Sequence, residues 1–185
     1  MGEIFRPNGF RFAFLQAIAT VSQVTMPAGK FSISKEKALP KIRHYCAYQE
    51  RSHHEVKEKL YGFGLRKTEV EELMATLIED DYLNESRFAE QFAGGRFRMK
   101  KWGKVKITHE LKLRQVSPYN LKKALAAIPE EDYLETLQKL VHDKWTSLKH
   151  EQYINRQAKT MAYLLQKGYE AGLIKEALAK ERQQP

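Results

Sequence analysis

From about residue 35 onward, apolar residues recur every three to four positions with polar residues between them, the period of an amphipathic helix. Leu39, Ile42 and Cys46 fall on one such face, as do Val56 and Leu60, then Val70, Leu73 and Leu77. The pattern continues through Phe88 and Phe92, Ile107 and Leu111, Leu134, Leu137 and Val141, and Met161 and Leu165. It breaks near 50–52, 62–67, 80–84, 102–104, 115–118, 128–131, 147–150 and 167–171, which predicts nine helices and leaves little room for strands. Ser52-x-x-Glu55 has the spacing of a capping box, in which the serine oxygen and the glutamate carboxylate each take an orphan N–H. Thr68-x-x-Glu71 has the same spacing, and Ser117-Pro118 sets a capping hydroxyl before a first-turn proline. Helix starts near 53, 69 and 118 follow.

The helices group in threes. With Leu60, Leu111 and Leu164 in register, Leu65, Val116 and Tyr169 follow five residues on. Val70, Leu121 and Ile174 follow at ten, and Met74, Leu125 and Leu178 at fourteen. Recurrence of the same anchors about every fifty residues is the mark of a tandem array, each unit too small to close a core alone. The fold predicted is all-α: three three-helix repeats over 36–83, 84–129 and 130–182, in an elongated, curved array.

Composition narrows the chemistry. The 185 residues carry a formal charge of +9, which favours polyanionic partners, and a single cysteine, Cys46, which precludes an internal disulfide and suits the reducing cytoplasm. Cys46 sits within a helical pattern and reads as an ordinary packed thiol. No run reaches the 18 or more apolar residues of a membrane span. Residues 1–35 read as an N-terminal extension. Phe12 to Ala19 behind Arg6 and Arg11 has a superficial signal-peptide look, but Gln16 interrupts it. Met26 is the expected biological start.

Charge is concentrated in the middle. Between residues 82 and 116 nine Lys/Arg stand against three acids, a net +6 in a fifth of the chain. On a helix over 85–101, Phe88, Phe92, Gly95 and Met99 share one face and are expected in the core. Arg87, Gln91, Gly94, Arg98 and Lys101 form a second stripe, flanked by Arg96 and Lys100. Adjacent glycines inside a helix cost about 1 kcal/mol each against alanine, so Gly94-Gly95 predicts close approach by another helix or by a partner's backbone. Trp102-Gly103 turns the chain. Lys104 and Lys106 then open a helix whose N-terminal dipole they oppose, which points to an external anion. The candidate binding residues are therefore Arg87, Arg96, Arg98, Lys100, Lys101, Trp102, Lys104 and Lys106.

Enzymatic sets are missing from the sequence. His53-His54 with Glu50 has no third metal ligand at a workable spacing. Glu79-Asp80-Asp81 and Glu130-Glu131-Asp132 sit at helix boundaries, and no phosphate loop follows a strand. A non-enzyme without cofactor or metal is expected, monomeric and unattached to membrane. A stand-alone DNA-binding module is the alternative reading, because short three-helix units resemble helix-turn-helix domains.

The run YLNESRFAEQFAGGRFRMKKWGKVKITHEL resembles the signature of the bacterial regulatory protein family RecX, modulators of the RecA recombinase. SHHEVKEKLYGFGL and LLQKGYEAGLIKEAL resemble its flanking repeats, so the likeness covers about residues 36–180. It implies three three-helix units, a cytoplasmic location, and binding in the groove of the RecA–DNA filament. There such proteins restrain ATPase, strand-exchange and co-protease activity, and some also bind DNA directly. The motif maps onto Tyr82, Leu83, Arg87, Phe88, Ala89, Phe92, Arg96, Lys101, Trp102, Gly103, Lys106, Ile107, Glu110 and Leu111. Of these, Tyr82, Leu83, Phe88, Phe92, Gly103, Ile107, Glu110 and Leu111 are expected to be structural. Asn84-Glu85 stands where an Asp-rich turn is common in the family, a harmless change if both cap a helix.

Overall fold

A computed structural model of the protein describes residues 32–183, and the expectations for the first 31 residues, Met26 included, lie outside them. The described residues form nine helices and no strand. The first triplet is α1 (Lys35–Tyr48), α2 (His53–Gly62) and α3 (Lys67–Glu79). The second is α4 (Glu85–Lys100), α5 (Lys104–Leu113) and α6 (Pro118–Ala126), and the third α7 (Glu130–Ser147), α8 (Tyr153–Lys167) and α9 (Ala171–Gln183).

Local chemistry sets the boundaries. Ser52 accepts from the Glu55 N–H at 3.1 Å while the Glu55 carboxylate accepts from the Ser52 N–H at 3.0 Å, closing the capping box. Ser117 caps α6 ahead of Pro118 by accepting from the Asn120 N–H. Asn84 caps α4 by accepting from the Arg87 N–H at 3.0 Å, so the asparagine does the work of the usual aspartate. Thr68 does not cap α3. That helix starts two residues earlier than its Thr-x-x-Glu spacing predicts, and Glu69 reaches back to the Arg66 N–H at 2.8 Å.

The repeat register is visible in both core and backbone. Leu60, Leu111 and Leu164 are each fully buried, and Leu65, Val116 and Tyr169 are buried five residues later. Between them, four residues past each leucine, Gly64, Gln115 and Gly168 all turn the chain with positive φ. The left-handed residue ends the middle helix of each triplet and redirects the chain into the third.

Two cores form. One gathers Ala38, Ile42, Cys46, Val56, Leu60, Leu73 and Leu77 of the first triplet and ends at Leu83. The other runs without interruption from Phe88 through Ile107 and Leu111 to Tyr133, Leu164 and Ile174, so the second and third triplets share it. Cys46 is a packed thiol, pushed up to about 11 by burial. Leu134 and Leu165 are nearly half exposed, against expectation, and their neighbours Tyr133 and Leu164 fill the core instead.

The α4 face also differs from the sequence reading. Phe88, Ala89, Ala93 and Phe97 are its buried residues, Phe92 is half-buried, and Met99 is 84% exposed. Phe97 packs on Tyr133 at 5.9 Å between ring centroids, and that contact with the third triplet sets the helix rotation. Nor does another helix approach Gly94-Gly95. A Cβ on Gly95 would meet nothing within 4 Å, and one on Gly94 would meet only the Arg98 guanidinium.

Candidate polyanion-binding interface

The close approach that glycine permits lies at Gly103 instead. The α4–α5 turn packs on the α8–α9 turn, where Gly103 donates to the Lys167 carbonyl at 2.9 Å and Val105 to the Gly168 carbonyl at 3.1 Å. Lys104 N–H donates to the Tyr133 hydroxyl at 2.9 Å, which itself donates to Glu170 at 2.6 Å. Burial, with Glu170 beside it, pushes the Tyr133 phenol far above its ordinary value. The orphan N–H groups of α5 are thus met by the last carbonyls of α8, the positive end of one helix on the negative end of the other.

This contact corrects the reading of Lys104. Lys104 pairs with Glu130 at 2.5 Å and lies 4.5 Å from the Tyr133 ring centroid. Lys106 donates to the Gln166 carbonyl at 3.2 Å, close to the C-terminus of α8. Lys104 is thus neutralised inside the fold, whereas Lys106 gives one hydrogen bond to a carbonyl and keeps its charge. Arg87 is occupied too, bridging Glu50 at 2.6 Å and Asp81 at 2.9 Å. Its guanidinium is raised above its usual value chiefly by the hydrogen bond to Glu50.

Five cations gather on two aromatic rings, Trp102 and Tyr163. Arg96 lies 5.2 Å from the Trp102 centroid, Lys106 4.7 Å and Lys100 5.8 Å. Arg96 also covers Phe92 at 4.9 Å. In the third triplet Lys144 and Lys167 lie 5.5 and 5.6 Å from the Tyr163 centroid. Lys167 also donates to the Lys100 carbonyl at 3.2 Å, tying the two groups together. A cleft of about 230 Å³ opens between Trp102, Lys106, Tyr163, Gln166 and Lys167. Arg96, Lys100, Lys106, Lys144 and Lys167 have no carboxylate partner among the described residues, nor do Arg98 and Lys101. Rings beneath the cations fix their positions while leaving their charge unneutralised, a surface suited to phosphate oxygens.

Sequence reading placed Trp102, Arg96, Lys100 and Lys106 in this strip but missed Lys144, Tyr163 and Lys167. The one local signal for the latter was the i, i+4 pair Tyr163 and Lys167 on α8. Lys101 stands at the end of α4 in the left-handed region, φ 53°, where its N–H closes the helix onto the Phe97 carbonyl. Among the expected structural residues, Leu83, Phe88, Ile107 and Leu111 are buried. Tyr82 is partly exposed beneath Arg43, and Glu110 pairs with Arg114 at 2.7 Å. No group of three or more His, Cys, Asp or Glu among the described residues could hold a metal ion, and no helix among them is long and apolar enough to cross a membrane.

Comparison with known proteins identifies the fold and the family. Residues 84–125 match the family description of the second three-helix domain of RecX, and residues 130–178 match the third. The chain belongs to the RecX family. A regulatory protein RecX from Chlorobium limicola is 28% identical over 147 residues, covering 80% of this chain and 91% of the relative. RecX of Oceanobacillus iheyensis is 26% identical over 138 residues and that of Halalkalibacterium halodurans 30% over 150. The match takes in 75% and 78% of this chain but spans about half the length of those two relatives, 51% and 54%. The crystal structure of RecX from Lactobacillus salivarius superposes with a TM-score of 0.73 at 22% identity, over 80% of this chain and 96% of that one, so the fold is the RecX fold.

Proposed function

We propose that this RecX-family protein binds the RecA–DNA filament and restrains RecA, lowering its ATP turnover, strand exchange and co-protease activity. The observation that carries the reading is the cationic strip running from Arg96 and Lys100 through Lys106 to Lys167 and Lys144. It crosses from the second triplet to the third over one shared core. A rigid strip of that kind meets several phosphates at once and resists the subunit movements that accompany ATP hydrolysis. The units at work are the three-helix repeats 36–83, 84–129 and 130–182, in a cytoplasmic monomer.

The test is RecA's own chemistry. Adding the purified protein to RecA filaments on single-stranded DNA should depress ATP hydrolysis and strand exchange, and unchanged rates at stoichiometric excess would refute the reading. The alternative, a stand-alone DNA-binding module, predicts tight sequence-preferring binding to naked DNA with no effect on RecA. The strip offers few base-reading amides, which favours phosphate contact without sequence choice.

A further inference from the structure

We propose that the outward face of α4 around Gly94 and Gly95 docks an acidic, partly apolar segment of a protein partner, beside the phosphate-facing strip and sharing Arg96 and Lys100 with it. The inference rests on the filament reading, whose protein component would supply that segment.

The glycines are the first ground. Both lie well inside α4, where glycine is among the weakest helix formers, and the fold makes no use of them. Gly95 faces open space, and the only atoms crowding Gly94 belong to the flexible end of Arg98. A pair of missing side chains on an outward helix face does one thing well: it lets another backbone come close.

What surrounds the gap specifies the visitor. A cleft of about 300 Å³ runs along it, with Phe92 half-buried on one side and Met99 84% exposed on the other. Methionine is an adaptable apolar contact, which suits a protein side chain and offers nothing to a phosphate. Arg96, Arg98, Lys100 and Lys101 lie along the same stretch, with no carboxylate partner among the described residues. Glu90, the acid of α4 nearest the glycines in sequence, is held by Lys123 at 2.9 Å and Ser86 at 3.2 Å. The occupant must therefore bring its own carboxylates, along with apolar residues for Phe92 and Met99. Residues 1–31 of this chain do not qualify, because they carry Arg6, Arg11 and Lys30 against Glu3 alone.

Gly95→Leu tests the idea without changing charge, and Met99→Gln removes the apolar contact at a position too exposed to matter for folding. Each variant and the wild type are titrated against RecA filaments assembled on single-stranded DNA, and separately against the same DNA without RecA. Both variants should melt no lower than wild type and bind naked DNA equally well, while filament affinity falls at least about tenfold, the scale of a central interface contact. Filament binding at wild-type strength would overturn the proposal and leave the filament reading standing. Parallel loss of naked-DNA binding would overturn it by making the face a nucleic-acid surface. Failure of the wild type itself to bind filaments would overturn the filament reading and this proposal together.

Discussion

Gly103 stands so close to Gly168 that a Cβ on the first would lie 2.1 Å from the carbonyl oxygen of the second. The atoms it would strike are backbone, and they belong to the turn that caps α5 beside the cleft lined by Trp102 and Tyr163. Gly103→Ala should therefore destabilise the protein by about 1–3 kcal/mol, the range for forced overpacking. At this chain length that corresponds to a melting temperature about 2–12 °C lower. A thermal melt followed by circular dichroism decides it, and an unchanged midpoint would show that the two turns can separate freely.

The strip makes a prediction about salt. Lys106→Gln and Lys167→Gln should each weaken binding to single-stranded DNA and reduce the slope of log K against log salt by about 0.7. Fluorescence anisotropy across a salt series measures both quantities. Equal slopes in wild type and variants would remove those lysines from the phosphate contact.

Arg87 is expected to behave differently from its neighbours, because its charge is already spent on Glu50 and Asp81. Arg87→Ala leaves the Glu50 carboxylate, whose side chain is only 20% exposed, without its cation. The expected cost is about 1–2 kcal/mol, below that of a fully buried pair because the guanidinium is a third exposed and Asp81 is solvated. Urea denaturation should register the loss while naked-DNA affinity changes little. A large affinity loss at unchanged stability would return Arg87 to the binding surface.

Acid should loosen the region between the first two triplets in two steps. Burial holds His53 below its ordinary value of 6.5, an effect that Glu85 partly opposes. The unfolded chain therefore takes up this proton first, and the stability linked to neutral His53 is complete above 6.5 and declines as pH falls toward the folded value. Burial raises Glu85, but hydrogen bonds from Ser117 and Asn120 outweigh it and leave the carboxyl below 4.5. Its contribution is present above 4.5 and is lost as pH drops through the folded value. Urea midpoints measured from pH 2 to pH 8 should fall in that order, and His53→Gln should flatten the upper step. A midpoint as steep in the variant as in the wild type would assign that step to another group.

The repeat architecture was legible because each triplet repeats one local grammar. Leu60, Leu111 and Leu164 announce it, and the serine caps at Ser52 and Ser117 mark helix starts that tertiary packing leaves in place. The rotation of α4 was not legible. Phe88, Phe92 and Met99 form a plausible helical row, but the buried row is completed by Ala89 and Ala93, small residues that leave room for Phe97 to reach Tyr133. The internal partners of Lys104 and Lys106 were not legible for the same reason. Their partners Glu130 and Gln166 come from the third triplet, 26 and 60 residues away. Lys144 and Lys167 entered the strip unforeseen because only the fold sets Tyr163 next to Trp102.

The division of the interior into two cores has a mechanical consequence. The second and third triplets are joined by oil, and the first is joined to the second across Leu83 and Asn84 with charged clasps such as Arg87–Glu50 and Arg114–Glu55. Dissolved ions weaken the charged joint and leave the greasy one nearly untouched. One seam of the molecule therefore answers to the ionic medium more than the other does. Near a densely charged polymer with its own cloud of counterions, the first three helices are the part whose pose the surroundings can retune.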